Sequence, residues 1–233
     1  MKGILYGVGV GPGDPELMTV KTLRLVSTAK IIAYLSANGG ESTARAIAAP
    51  FMPGDAIEIA IDMPMRTEPA PAQQAYDQGA KQIAAHLRQG HDVVMLCEGD
   101  PFFYGSFIFM YERLSGEFET RVVPGVTSVS AAAAVAGLPL ATRNAVIKVL
   151  PATLDTDRLR GELATVECAA IIKVGRHFTR IRNLLEALDL SHSATVVEKA
   201  THADQSIRRL VDVNESAVPY FTTILVHAAQ DHA

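Results

Sequence analysis

The sequence predicts an α/β protein of two domains, the first built on a mainly parallel sheet and the second on a mixed sheet. Three observations carry this. Short apolar runs alternate with amphipathic stretches as far as Val123. One of these runs, Val93-Val94-Met95-Leu96 within Asp92–Cys97, is apolar without interruption, which suits a strand buried on both faces of a parallel sheet. Towards the end, the strand-like runs Thr195–Glu198, Ile207–Val211 and Phe221–Val226 follow one another without helical stretches between them, which suits antiparallel neighbours.

Taken in order, Gly3–Val8 reads as the first strand and Pro15–Thr28 as the helix after it. Lys30–Leu35 and Ile57–Ile61 are further strands, with a helix at Glu41–Ala49 between them. Pro64–Pro71, with three prolines beside Arg66, Thr67 and Glu68, is an exposed loop. Gln73–Gln89 places Tyr76, Ala80, Ile83 and Leu87 at helical spacing, the mark of one buried face. Phe103–Leu114 repeats the spacing with Phe103, Phe107, Met110 and Leu114, and Ile108, Phe109 and Tyr111 make its other faces apolar as well. Such a helix is buried or part of an interface. Arg121–Val123 closes the first series. The second half adds a small-residue helix at Ala131–Ala136, strands at Val146–Leu150 and Ala169–Val174, and helices at Thr156–Leu163 and Phe178–Leu188. Because Ser115-Gly116-Glu117 interrupts the apolar pattern, the domains are expected to span 1–116 and 117–233.

Composition narrows the function classes. The 233 residues carry 21 Lys and Arg against 25 acids, a net charge of −4, which argues against a general nucleic-acid binder. Cys97 and Cys168 are the only cysteines, so neither a disulfide scaffold nor a four-ligand zinc site is expected. None of the seven histidines has metal-ligand spacing, and no metal is expected. The apolar stretch Val129–Ala141 is broken by Ser130, Gly137 and Pro139, too short and too weakly apolar for a membrane span. Glycines and Asp14 interrupt the N-terminal apolar run, so no leader is expected. The expectation is a soluble, cytoplasmic protein without a membrane partner.

Three strand-end motifs carry the chemistry. The first, Gly7-Val8-Gly9-Val10-Gly11-Pro12-Gly13-Asp14-Pro15-Glu16, runs from a strand into a helix. Asp14 suits the N-cap, Pro15 the first helical position and Glu16 the positive end of the dipole. Gly7, Gly9 and Gly11 superficially match a dinucleotide-binding loop, but that loop needs an acid at the end of the next strand. Here that strand ends Tyr34-Leu35-Ser36-Ala37-Asn38. On the glycines alone, a nicotinamide oxidoreductase and a plain tight turn are the alternatives. The second motif is Cys97-Glu98-Gly99-Asp100-Pro101-Phe102-Phe103-Tyr104-Gly105-Ser106, after the best strand. Ligands of open α/β sheets bind at carboxyl strand ends, and a carboxylate beside aromatic faces suits a cationic or hydroxyl-rich ligand. A capped Gly-Asp-Pro turn is the structural alternative. The third is Val122-Val123-Pro124-Gly125-Val126-Thr127-Ser128, where Thr127 and Ser128 either cap a helix or bind a ligand.

In combination and in this order, the three motifs resemble the tetrapyrrole methylase family. Val149-Leu150-Pro151-Ala152-Thr153-Leu154, Lys173-Val174-Gly175-Arg176, Glu198-Lys199-Ala200-Thr201 and Pro219-Tyr220-Phe221 extend the likeness over nearly the whole chain. They point to the branch that methylates carbon 20 of precorrin-2. The resemblance implies two α/β domains with a cofactor cleft between them, S-adenosylmethionine (SAM) as methyl donor, a tetrapyrrole in a trough of the first domain, and a homodimer. Carried over by position, it implies cofactor contacts from Pro12, from the turn of Gly99, Asp100 and Phe103, from Thr127 and Ser128, and from Val174, Ala200, Thr201 and Thr223 of the second domain. Asp100 is expected on the ribose, because a carboxylate against the sulfonium would stabilise the ground state over the transition state. No His–Asp or paired-carboxylate set marks a base, though Glu98 and Tyr104 lie near in sequence. A cobalt-loaded precorrin-2 is the alternative substrate. Its carboxylates need cations, for which Arg66, Arg113, Arg143 and Arg176 are candidates.

Overall fold

The protein is described by a computed structural model covering residues 1–64 and 69–228. It forms two compact units, Met1–Thr127 and the residues from Ser128 onward.

The first unit is a five-stranded sheet of β1 (Leu5–Gly9), β2 (Ile31–Ala37), β3 (Ile57–Met63), β4 (Val93–Cys97) and β5 (Thr120–Val123). The strand order is β3-β2-β4-β1-β5 and every pair is parallel. Parallel neighbours require crossovers, supplied by α1 (Val20–Ser27), α2 (Thr43–Ala48), α3 (Pro69–Arg88) and α4 (Phe107–Leu114). All five residues of β4 are buried, because the strand is central and helices cover both faces. Val93, Met95 and Cys97 pack with Leu5 and Ala33 against Ile83 and Leu87 of α3 and Phe107 and Met110 of α4. Val94 and Leu96 pack with Val8 and Ile32 against Val26 of α1 and Ile47 of α2. The period-2 pleat divides one apolar run between two cores.

Beyond shifts of a few residues at strand ends, four differences from the sequence expectation fall in the first unit. The stretch read as one helix from Pro15 to Thr28 is a 3-10 turn at Pro15–Leu17 followed by α1. Met18 and Thr19 are extended between them (ψ 139° and 149°), because Thr19 restarts the chain as an N-cap, its Oγ1 accepting from the Thr22 N–H at 3.2 Å. Helix α4 begins at Phe107, not Phe103: Tyr104 has φ 57°, which breaks any helix. Helix α3 begins at Pro69, so Pro69–Pro71 are not loop; prolines in a first turn forfeit no intrahelical bond. Residues 65–68 of the expected loop lie outside the described residues. Finally, β5 pairs with β1, which draws it into the first sheet. The first unit therefore runs to Thr127 instead of stopping at 116, and Ser115-Gly116-Glu117 is the turn from α4 to β5.

The second unit begins with α5 (Ser128–Ala136) and holds β6 (Ile147–Pro151), α6 (Thr156–Leu163), β7 (Cys168–Ile172), α7 (Phe178–Ala187), β8 (Ala194–Glu198), β9 (Ser206–Arg209) and β10 (Thr222–His227). The order is β6-β7-β10-β8-β9, parallel only between β6 and β7, so the mixed sheet is as expected. One face packs on α6 and α7 through Leu159, Leu163, Phe178, Ile181 and Leu185. The other packs on α5, whose Ala131, Ala132 and Ala133 meet Ala170, Ile172 and Leu225. Strand β7 ends at Ile172, short of Val174, because Lys173 turns left-handed (φ 58°). Strand β9 ends at Arg209, where Leu210 turns into the core. No helix among the described residues is long and apolar enough to cross a membrane.

The first core sets a sharp steric condition. A Cβ on Gly7 would stand 2.4 Å from two carbons of the fully buried Phe107 ring. Gly7→Ala is expected to cost about 1–3 kcal/mol by overpacking. Combined with Phe107→Leu, the loss should fall short of the sum of the single effects by about 1 kcal/mol, read from urea denaturation of the four proteins. Strict additivity would mean that the ring is not the obstacle.

Candidate functional site

Strands β4, β1 and β5 are adjacent and parallel, so the loops that follow their carboxyl ends lie side by side. The β1 and β4 loops are zipped together. The Val10 N–H donates to the Cys97 carbonyl at 2.9 Å, and Gly11 and Gly99 exchange N–H···O bonds of 3.3 and 2.8 Å. The β5 loop closes on them backbone to backbone. A Cβ on Gly9 would lie 2.4 Å from the Gly99 carbonyl oxygen and 2.7 Å from the Gly125 Cα, and a Cβ on Gly125 would lie 2.0 Å from the same oxygen. Real Cβ contacts do not come so close, so these positions admit glycine alone. The Thr22 hydroxyl of α1 donates to the Gly9 carbonyl at 3.1 Å and is buried, fixing the end of β1 from beneath.

Asp100 holds the arrangement. One carboxylate oxygen accepts from the N–H groups of Phe102 (2.9 Å) and Phe103 (3.0 Å), and the other from the Gly125 N–H at 2.9 Å. The turn after β4 is thus capped by its own aspartate, and the same side chain ties the β4 and β5 loops together. A carboxylate has about four acceptor positions, so about one is left for a ligand. Outside this latch stand Phe102, Phe103 and Tyr104, all exposed. The Phe103 and Tyr104 rings meet edge to face at 5.3 Å, and the Phe102 and Tyr111 rings at 5.2 Å. Glu98 reaches the other way, its Oε1 accepting from the Ala44 N–H at 3.2 Å. Desolvation pushes its carboxyl up, opposed by its backbone hydrogen bonds.

Of the predicted cofactor residues, Gly99, Asp100 and Phe103 therefore share one turn. Pro12 lies in the β1 loop beside it, and Thr127 ends the β5 loop. Ser128 opens α5 in the second unit. Sequence reasoning did not include Gly9, Gly125 and Thr22. The glycines at strand ends were visible, but their convergence from positions 9, 99 and 125 was not.

Val174, Ala200, Thr201 and Thr223 gather at one end of the second sheet. Strand β10 is antiparallel to both β7 and β8, so its first residues lie beside their last. Thr223 pairs with Val197 and is buried. This end concentrates backbone strain: Lys173, Lys199 and Thr201 have φ of 58°, 47° and 68°. Non-glycine residues there cost on the order of 1–3 kcal/mol each and cluster at functional sites. The Lys199 N–H donates to the Phe221 carbonyl at 2.7 Å and the Thr201 N–H to the Gln205 Oε1 at 2.9 Å. Among the described residues, no group of three or more His, Cys, Asp and Glu is placed to hold a metal ion.

The family model of the tetrapyrrole (corrin/porphyrin) methylases matches residues 4–211. The chain belongs to the tetrapyrrole methylase family. Among its relatives, a precorrin-2 C(20)-methyltransferase from Sinorhizobium is 37% identical over 98% of this chain and 97% of its own length. A cobalt-precorrin-2 C(20)-methyltransferase from Salmonella typhimurium is 31% identical over the full length of both. The cobalamin biosynthesis protein CobIJ of Mycobacterium tuberculosis is 39% identical over all of this chain but 47% of its own length; the chain spans about half of that curated relative. The solved uroporphyrin III C-methyl transferase of Thermus thermophilus has a TM-score of 0.72 at 25% identity, covering 97% of both chains. In this tetrapyrrole methylase, the glycine motif accordingly serves loop-to-loop contact, and β2 ends without the acid that a dinucleotide site requires.

The four cation candidates separate. Arg113 is engaged by Asp77 and Gln73, each at 2.7 Å, and by the Phe109 carbonyl. Arg66 lies outside the described residues, Arg143 is exposed, and Arg176 lines a cavity of the second unit.

The Asp100 latch predicts an asymmetry. In Asp100→Asn, the amide keeps an acceptor for one side of the latch but turns a donor on the other. We expect a loss of about 1–3 kcal/mol, measured as a lower urea midpoint, with Asp100→Glu also impaired because the longer carboxylate cannot reach all three N–H groups. Wild-type stability in both variants would show that the latch holds nothing.

Proposed function

We propose that this chain transfers the methyl group of S-adenosylmethionine to carbon 20 of precorrin-2, giving precorrin-3A. The observation that carries the reading is the likeness to the Sinorhizobium enzyme over nearly the whole of both chains. The latched glycine edge of the first unit and the strained edge of the second are both taken to bind SAM, through Gly99, Asp100 and Phe103 and through Val174, Ala200, Thr201 and Thr223. The remaining acceptor position of Asp100 suits a ribose hydroxyl. The resemblance supports a cytoplasmic homodimer acting on a free tetrapyrrole, with neither nucleic acid nor membrane as partner.

SAM supplies a methyl group already activated by its sulfonium charge, and carbon 20 is electron-rich through the enamine-like array of the reduced macrocycle. The chain therefore has to align, exclude water and hold. Alignment contributes on the order of 7–11 kcal/mol when the reacting groups are fixed at near-attack distance. A rigid edge, built of backbone contacts that tolerate no Cβ, is suited to that task. The exposed rings of Phe102, Phe103 and Tyr104 offer flat apolar surface to a macrocycle.

The Salmonella relative favours a second reading, in which the macrocycle already holds cobalt. Incubation with labelled SAM and precorrin-2 should add one methyl group by mass spectrometry, and more slowly with the cobalt-loaded substrate. The reverse preference assigns the chain to the cobalt substrate, and no methyl gain on either would overturn methyl transfer.

A further inference from the structure

A second polar feature lies wholly within the second unit and outside the residues taken above for SAM. Helices α6 and α7 border an open cavity of about 500 Å3 lined by Thr156 and Arg160 of α6, by Arg176 at the entry to α7, and by Thr179, Arg180, Asn183 and Leu184 of α7. Thr156 and Arg160, and Thr179 and Asn183, are four residues apart, and such pairs share a helix face; Arg176 stands in the 3-10 turn Gly175–His177 that leads into α7. Leu184 is buried and forms the floor. The lining contains three guanidinium groups and no carboxylate.

Seven arginines among the described residues, from Arg45 to Arg209, are ion-paired with Asp or Glu. Six arginines among the described residues, Arg24, Arg143, Arg158, Arg160, Arg176 and Arg180, are in no ion pair, and three of the six line this one cavity. Arg180 is nonetheless fixed in place, donating to the Thr156 Oγ1 at 3.2 Å and to the Ala152 carbonyl. Two of its five donors are thereby used and about three remain. Of the acids on and just before α6, the N-cap Asp155 accepts from the Arg158 N–H at 2.8 Å, Glu162 pairs with Lys148 at 3.2 Å, and Asp157 in the first turn does not line the cavity. His177 records the local field: burial first, and then the charges of Arg176 and Arg180, hold its imidazole below the usual histidine range. Its Nε2 lies 3.4 Å from Arg176 Nε.

Arg160 and Arg176 are exposed and Arg180 is half-buried, so water and salt screen their mutual repulsion, and the three remain available to an anion that enters the cavity. We propose that the α6–α7 cavity binds a small molecule bearing clustered anionic oxygens, through Arg160, Arg176 and Arg180. Planar guanidinium forks take phosphate or carboxylate oxygens two at a time, the Asn183 amide adds two further donors, and the volume suits a small ligand. Two sources offer this chemistry: a free phosphorylated compound, and the carboxylate side chains of a tetrapyrrole. The site rests on the second unit alone and does not depend on the methyl-transfer reading.

Inorganic pyrophosphate is the probe, titrated into the full chain by calorimetry at low ionic strength, with imidazole NMR of His177 alongside. Saturable binding is expected, weakened about tenfold or more in the Arg160→Gln/Arg176→Gln variant and by added salt. Bound anion should raise the His177 pKa, a change that a merely unfolded variant would not imitate. Arg158→Gln, one turn face away, should leave both readouts unchanged. Competition of pyrophosphate with precorrin-2, together with a raised KM for precorrin-2 in the double variant, assigns the site to the tetrapyrrole carboxylates. Independent binding assigns it to a free phosphate compound. Absence of saturable binding to the wild type, or equal binding and an unmoved His177 in the double variant, overturns the proposal.

Discussion

The constraint on which the first unit depends is the meeting of three backbones at the carboxyl edge of its sheet. Gly9, Gly99 and Gly125 lie at or just beyond the ends of three strands, and Gly9 and Gly125 approach each other and the Gly99 carbonyl within distances that leave neither of them room for a Cβ. Because the contact is between main chains, it cannot be recovered by a different rotamer. It fixes where the β4 and β5 loops leave the sheet, and the Asp100 carboxylate then locks both against each other through three N–H groups. The same absence of side chains that lets a dinucleotide loop approach a phosphate is used here to let one loop approach another. That is why a glycine pattern similar to a dinucleotide fingerprint occurs without the acid at the end of β2.

Much of the architecture was legible. A continuous apolar run cannot be half-exposed, so Val93–Leu96 had to be central, and the period of Tyr76, Ala80, Ile83 and Leu87 could only be one face of a helix. What periodicity could not show was where local side-chain chemistry overrides it. Thr19 and Asp100 each capture a nearby backbone N–H, and each moves the start of a helix several residues past the first apolar position. The domain boundary failed for a related reason. Ser115-Gly116-Glu117 has the composition of a linker, but a linker and a helix-to-strand turn look alike until pairing is known, and β5 earns its place in the first sheet only through β1.

The candidate site was legible in proportion to how local its parts are. Gly99, Asp100 and Phe103 form one turn within five residues and could be identified together. Gly9 and Gly125 belong to the same contact but are separated by most of the first unit. In the second unit, Val174, Ala200, Thr201 and Thr223 reach one sheet end because β10 runs antiparallel between β7 and β8. No local sequence feature encodes that placement, and the left-handed Lys173, Lys199 and Thr201 are residues for which propensity predicts the opposite.

Net charge was the least informative of the sequence quantities, and the reason is physical. A total of −4 sums charges that cancel locally with charges that do not. Arg113 contributes to the sum but is spent on Asp77, Gln73 and a carbonyl, so it presents little to an incoming ligand. Arg45 is likewise closed off by both oxygens of Glu58, which also accepts from the Tyr34 hydroxyl. Recognition of an anion depends on the charges left over after such pairing, and on whether they share a surface. A chain with an acidic excess can therefore hold a concentrated positive field, provided its acids are committed elsewhere. The α6–α7 cavity meets that condition because the N-cap Asp155 is turned to the backbone of its own helix, Glu162 is paired with Lys148, and no carboxylate lines the cavity.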